Sequence, residues 1–221
     1  MQSKIEAFIL NPSEDYLKPY FYSNPFALRC ELGVGDDADY MPNARRRASE
    51  IHRILFPHGA DAMCFSQWII DWSDSGEAEA RLLGEETAAE IMEQELAAEA
   101  RSLRFLRESL LRHRHVAVRG LKTYSDPGEG PRRNRIVCYS DGAGFDDLAL
   151  IERQLADRDD LEISLVSFEN ECILSVYDDR GCDVVFADRG RFCRFYPLLR
   201  PYFLAYDLEE MEKRFREATV S

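Results

Sequence analysis

The sequence predicts an α+β fold: a mixed, largely antiparallel sheet with helices packed on it and a long helical insertion. Three observations carry this expectation. The strand-like runs of the last third are joined by turns too short for parallel crossovers, so neighbours there pair antiparallel. Amphipathic helical stretches are interspersed among them and supply cover for a face of the sheet. The chain has 221 residues, 45 % of them hydrophobic, enough to bury a sizeable core. A single domain over residues 1–221 is expected, with about 74–135 a helical and basic-loop insertion.

Ile5 to Leu10 reads as a short strand, ended by the turn Asn11-Pro12-Ser13 before a helical start at Glu14. The aromatic cluster Tyr16, Tyr20, Phe21, Tyr22 and Phe26 reads as core or edge packing. Phe26 to Leu32 alternates, with Phe26, Leu28, Cys30 and Leu32 on one face and Arg29 and Glu31 on the other, which predicts a half-buried strand. After the Gly33-Val34-Gly35-Asp36-Asp37 loop, the apolar spacing of Ala44, Ala48, Ile51, Ile54 and Leu55 predicts a helix over 43–56, closed by Pro57. Ala62 to Trp72 is rich in large apolar residues and reads as a central strand. The longest helical pattern follows, from about Glu85 to about Leu111, with Ala88, Met92, Leu96, Leu103, Leu106 and Leu110 on one stripe.

His115 to Tyr124 and Arg135 to Tyr139 read as strands around the loop Ser125 to Pro131. A helix over 146–156 begins at Asp146 or Asp147, and strands over 161–168 and 172–177 are joined by Glu169-Asn170-Glu171. Asp178-Asp179-Arg180-Gly181 turns into a returning strand over 182–187. Helical pieces around 192–199 and 208–215 complete the pattern.

Charge is segregated along the middle of the chain. Residues 61–100 carry about −10 and residues 101–135 about +7, within a net charge of −13. Acid in the first half of the long helix and arginine in its last turns also suit the helix macrodipole. The acidic total argues against a nucleic-acid partner, because phosphate contacts require a basic face. The short run Arg45-Arg46-Arg47 reads as a solvated helix face. The start, Met1 to Leu10, has too short an apolar run for a secretory signal and nothing later has the length of a membrane span, so a soluble cytoplasmic protein without a membrane partner is expected. Six cysteines, at 30, 64, 138, 172, 182 and 193, form no Cys-x-x-Cys pair and read as reduced, mostly buried small hydrophobes.

No residue set spells out a reaction, and neither a catalytic residue, a metal nor a cofactor is assigned. The groups Asp36, Asp37 and Asp39, Asp146 and Asp147, and Asp178 and Asp179 stand in turns or at helix starts, where aspartate bonds locally. His113 and His115, and likewise His52 and His58, read as helix-end cations. Gly33-Val34-Gly35 lacks the third glycine of a phosphate loop and is followed by two aspartates.

Two stretches carry a resemblance: Asn24-Pro25-Phe26-Ala27-Leu28-Arg29-Cys30-Glu31-Leu32-Gly33 and Tyr177-Asp178-Asp179-Arg180-Gly181-Cys182-Asp183-Val184-Val185. Together they resemble a bacterial domain-of-unknown-function family with an Asn-Pro-Phe-x-Leu-Arg-x-Glu-Leu-Gly start and a Tyr-Asp-Asp-Arg-Gly-x-Asp-Val hairpin. Leu198 to Phe215, with Tyr202, Tyr206 and Asp207, is similar to that family's C-terminal helices. The resemblance implies a compact α+β bacterial cytoplasmic domain and no catalytic residue. By analogy with small acidic bacterial proteins, it also implies an immunity role against a secreted toxin.

The expected function is therefore a binding protein that neutralises a cognate, basic toxin by covering its active surface. Asp74, Glu77, Glu79, Glu86, Glu90 and Glu93 are the candidate partner-binding residues. The alternative is a metal-assisted enzyme using Asp36, Asp37, Asp178 and Asp179, with Arg180 on an anionic substrate. A third expectation, pairing of the long helix with its copy, rests on a short seam.

Overall fold

The structure, a computed structural model, describes residues 21–71, 85–112, 116–124, 132–156 and 161–220. The early strand and helix start, Tyr16, Tyr20, His113, His115 and the loop over 125–131 lie outside the described residues. The architecture is α+β, as the alternating and helical periods predict. The chain divides into two compact units. The first holds Met1–Cys64, Asp141–Asp157 and Glu162–Ser221, and the second holds Phe65–Ser140 and Arg158–Leu161.

In the first unit, strands β1 (Ala27–Glu31), β5 (Leu161–Ser167), β6 (Cys172–Asp178) and β7 (Gly181–Phe186) stand in the order β1-β7-β6-β5. The three pairings are antiparallel, so the first strand among the described residues is sealed by one near the end of the chain. The start of β2 (Ala62–Asp71) lies beside β5, where Asp61 N donates to Val166 O at 2.9 Å.

Helices α1 (Asp37–Leu55), α3 (Asp147–Leu155), α4 (Arg189–Leu199) and α5 (Leu208–Val220) belong to this unit; α2 (Glu85–Arg112) belongs to the second. Of these, α3 packs on β6, α4 on β7 and β1, and α5 on β1. The core holds Leu28, Leu32, Ile51, Leu55, Leu174 and Leu199, with a chain of rings running through Phe186, Phe192, Phe195, Tyr196 and Phe215. Tyr196 and Phe215 stack at 3.9 Å between centroids and fasten α4 to α5.

Two helix boundaries illustrate the local rules. Helix α1 begins at Asp37, six residues before the expected start, and carries Pro42 inside it. A proline removes one amide donor, and the apolar face of Ala44, Ala48, Ile51 and Leu55 outweighs that loss. Helix α3 begins as expected, because Asp146 Oδ1 accepts the amide of Ala149 at 3.1 Å.

The second unit contains the remainder of β2, helix α2 (Glu85–Arg112) and the antiparallel hairpin of β3 (Val116–Tyr124) and β4 (Arg132–Asp141), in the strand order β2-β4-β3. Its register shifts between Arg119 and Lys122, around Gly120, where the absence of a side chain suits a bulge. Phe65 on β2 meets Phe105 on α2 edge to face at 6.5 Å, and Leu106 is buried in the next position. Strand β4 extends beyond the expected 135–139 because Arg133 to Arg135 pair with Tyr124 to Lys122.

Candidate functional site

The charged faces of β1 and β7 meet at Arg29. Antiparallel register sets Arg29 directly opposite Asp183, and the two side chains engage in a two-pronged ion pair, Nε to Oδ1 at 2.8 Å and Nη2 to Oδ2 at 3.1 Å. Asp207, at the end of the turn Ala205–Asp207 before α5, adds a contact from Arg29 Nη1 at 3.4 Å. Asp183 and Asp207 are both buried. One guanidinium thus serves two buried carboxylates, and neutral donors supply the remainder: Tyr22 Oη donates to Asp207 at 2.9 Å and Phe21 N to Asp183 at 3.0 Å.

Electrostatics follow from that arrangement. Burial works against the charge of Arg29, and the hydrogen bonds and charge of Asp183 outweigh it, holding the proton more tightly than in a free arginine. The Asp207 hydrogen bond pushes the Tyr22 phenol upward, and burial does the same for Tyr177. The guanidinium also lies 4.8 Å from the Tyr22 ring centroid, 5.2 Å from that of Phe21 and 5.9 Å from that of Tyr177. Arg214 also lies over the Phe21 ring, at 4.2 Å, donates to the carbonyls of Phe21 and Asn24, and pairs with Glu210. The turn Phe21–Ser23 is therefore held by its amide and its carbonyl at once.

Above this fixed floor the tyrosines reach solvent. Tyr206 is 86 % exposed, Tyr22 61 % and Tyr177 38 %. Tyr22 and Tyr206 are neighbours, and Tyr22 and Tyr177 share Arg29. Rings of this kind, rigid beneath and wet above, give large contact area at low entropic cost.

Of the other acidic groups, Asp146 and Asp178 bond locally as expected, Asp147 bonds across to His52 and Ala60, and Asp36 makes no side-chain capping bond. Asp178 Oδ1 accepts from Arg180 N and Oδ2 from Arg180 Nε, both at 2.8 Å, which ties the hairpin turn before Gly181. A side chain at Gly181 would approach Cys30 O to 2.7 Å and collide with the Tyr177 hydroxyl, so the turn requires glycine. Asp36 stands before the first turn of α1, which contains Asp37 and Asp39. Asp147 Oδ2 meets His52 Nε2 at 2.8 Å and accepts Ala60 N at 2.7 Å, with His52 stacked on Phe56. His52 stands in the last turn of α1, as expected, and is also a buried partner of α3. Among the described residues no group of three or more His, Cys, Asp or Glu is arranged to hold a metal.

Of the partner-binding candidates, Glu86 and Glu90 lie on α2, Glu93 lies on α2 and is exposed, and Asp74, Glu77 and Glu79 lie outside the described residues. Sequence reasoning missed Asp207, Tyr22 and Tyr206 as parts of one surface. The signal was weak, since Arg29 shares the polar face of its strand with Glu31, a pattern that solvent can satisfy.

Fold and site together define an α+β protein whose buried ion network orders an exposed aromatic surface. A family model matches residues 7–207, and the chain belongs to that family, described as Domain of unknown function (DUF3885). Neither a curated protein nor a solved structure matches the chain. No helix among the described residues is long and apolar enough to cross a membrane.

Proposed function

We propose that this protein is a binding protein that neutralises a cognate, basic bacterial toxin, an immunity-type activity. The observation that carries the reading is the exposed set Tyr22, Tyr177 and Tyr206 on the Arg29, Asp183 and Asp207 network. The floor holds one carboxylate in excess over its guanidinium, and the whole chain carries −13, so complementarity favours a cationic partner. The acidic residues of α2, Glu86, Glu90 and Glu93, add encounter rate through their charge. Of the four acids of the metal-assisted alternative, Asp178 is engaged by Arg180 in the hairpin turn, which weighs against that reading.

The test is capture from the native cell lysate at low and moderate salt, with intact protein and Tyr206→Ala compared side by side, followed by growth rescue of cells expressing the captured protein. The expected result is one basic, growth-arresting partner, held at least tenfold more weakly by Tyr206→Ala and more weakly as salt rises. Equal retention by the variant removes the tyrosine surface from the interface, and a partner that leaves growth unaffected removes the immunity reading.

A further inference from the structure

Directly beside the Arg29 and Asp183 pair, the same register sets Cys30 opposite Cys182. Phe186 N donates to Phe26 O and Leu32 N to Arg180 O, each at 2.9 Å, on either side of this position. Antiparallel ladders alternate with a period of two, so Cys30 and Cys182 occupy a hydrogen-bonded site. The Cα atoms at such a site stand about 5.5 Å apart, inside the range a disulfide spans. Both cysteines are free and both are buried. Cys172 is also buried, but its register partner is Phe186.

We propose that Cys30 and Cys182 are an oxidation site, where a low-molecular-weight disulfide converts the two thiols into a bond that staples β1 to β7. The exchange balances in two steps. One thiolate attacks the small disulfide, forming a mixed disulfide and releasing one small thiol. The second protein thiolate attacks the mixed disulfide and releases the other small thiol, so the protein loses two protons and two electrons and the reagent gains them. The neighbouring Cys30 and burial hold the Cys182 thiol protonated, which makes the closed strand pair slow to react.

Local opening of β1 sets the rate. This strand ends the sheet of its unit, and on its outer side it has the bridge between Cys30 and Phe203 and the Leu204 N to Arg29 O bond of 3.1 Å. Once closed, the bond fixes the residues next to Arg29 and Asp183. The oxidation site stands whether or not the tyrosines bind a partner.

The experiment treats the intact protein with increasing oxidised glutathione, blocks remaining thiols, and maps non-reduced peptides by mass. The expected main product is a peptide pair joined through Cys30 and Cys182, released by dithiothreitol, with a Tm above that of the reduced protein. Cys182→Ser yields neither the linked pair nor the Tm rise. The mapping on the unsubstituted chain stands even where that variant folds poorly. Glutathione adducts on Cys193 with Cys30 and Cys182 still free, a link between other cysteines, or no reaction at concentrations that oxidise a control dithiol would each overturn the proposal.

Discussion

At Arg29 the number of partners decides the consequence of substitution. Its guanidinium is the cation that Asp183 and Asp207 both engage, and both carboxylates are buried. Arg29→Met leaves two buried acids facing each other, and a loss of about 3–5 kcal/mol of stability is expected, read as a lower denaturant midpoint. Arg29→Lys recovers only part of it, because an ammonium cannot reproduce the two-pronged contact. Tyr206→Ala, at a side chain 86 % exposed, leaves that midpoint within about 0.5 kcal/mol while weakening partner capture. The pair of measurements separates the floor of the site from its rim.

At the scale of elements, the hairpin of β6 and β7 is tied at its turn by Asp178 and Arg180 and crowded at Gly181. Gly181→Ala drives a methyl toward the backbone carbonyl of Cys30 and the Tyr177 hydroxyl, and a cost of about 1–3 kcal/mol is expected in equilibrium unfolding. This hairpin was legible in the sequence, as were β1, α2 and the cap of α3, because each rests on a short-range signal: alternation, helical spacing, or an aspartate at a helix start. The start of α1 was not, since Pro42 reads as a boundary until the packing of Ala44, Ala48 and Ile51 is known. The site was legible only in fragments. Arg29 and Asp183 are separated by 154 positions and His52 and Asp147 by 95, distances over which no periodicity survives. Asp207 likewise looked like part of a helical tail until the turn before α5 delivered it to Arg29.

Across the whole molecule, titration limits stability from both sides. Tyr22, Tyr40, Tyr177, Tyr196 and Tyr202 all hold their phenol protons more tightly in the folded chain than the ordinary value of 10.0. Groups raised in this way contribute fully below about pH 10 and lose their contribution as pH climbs further, since the unfolded chain ionises first. Glu50 behaves oppositely: burial pushes it upward, and the hydrogen bonds from Arg46 and Tyr202 overcome that and set it below 4.5. Its contribution is present above about pH 4.5 and is lost as pH falls. The buried thiols of Cys172 and Cys182 are held protonated in the same way, so a plot of Tm against pH is expected to be flat between about pH 5 and pH 9 and to fall on both flanks. A monotonic rise through pH 10 would contradict the tyrosine assignments.

The pairing of β1 with β7 also has a consequence for synthesis. A ribosome makes the chain in one direction, so β1 and its arginine emerge long before Asp183 and Asp207 are translated. During that interval neither β7 nor Phe203 is there to line its edges, and the guanidinium has no carboxylate from this network. The first unit cannot close its sheet domain by domain as it leaves the tunnel; it must wait, and the nascent strand is the segment a chaperone would need to shield.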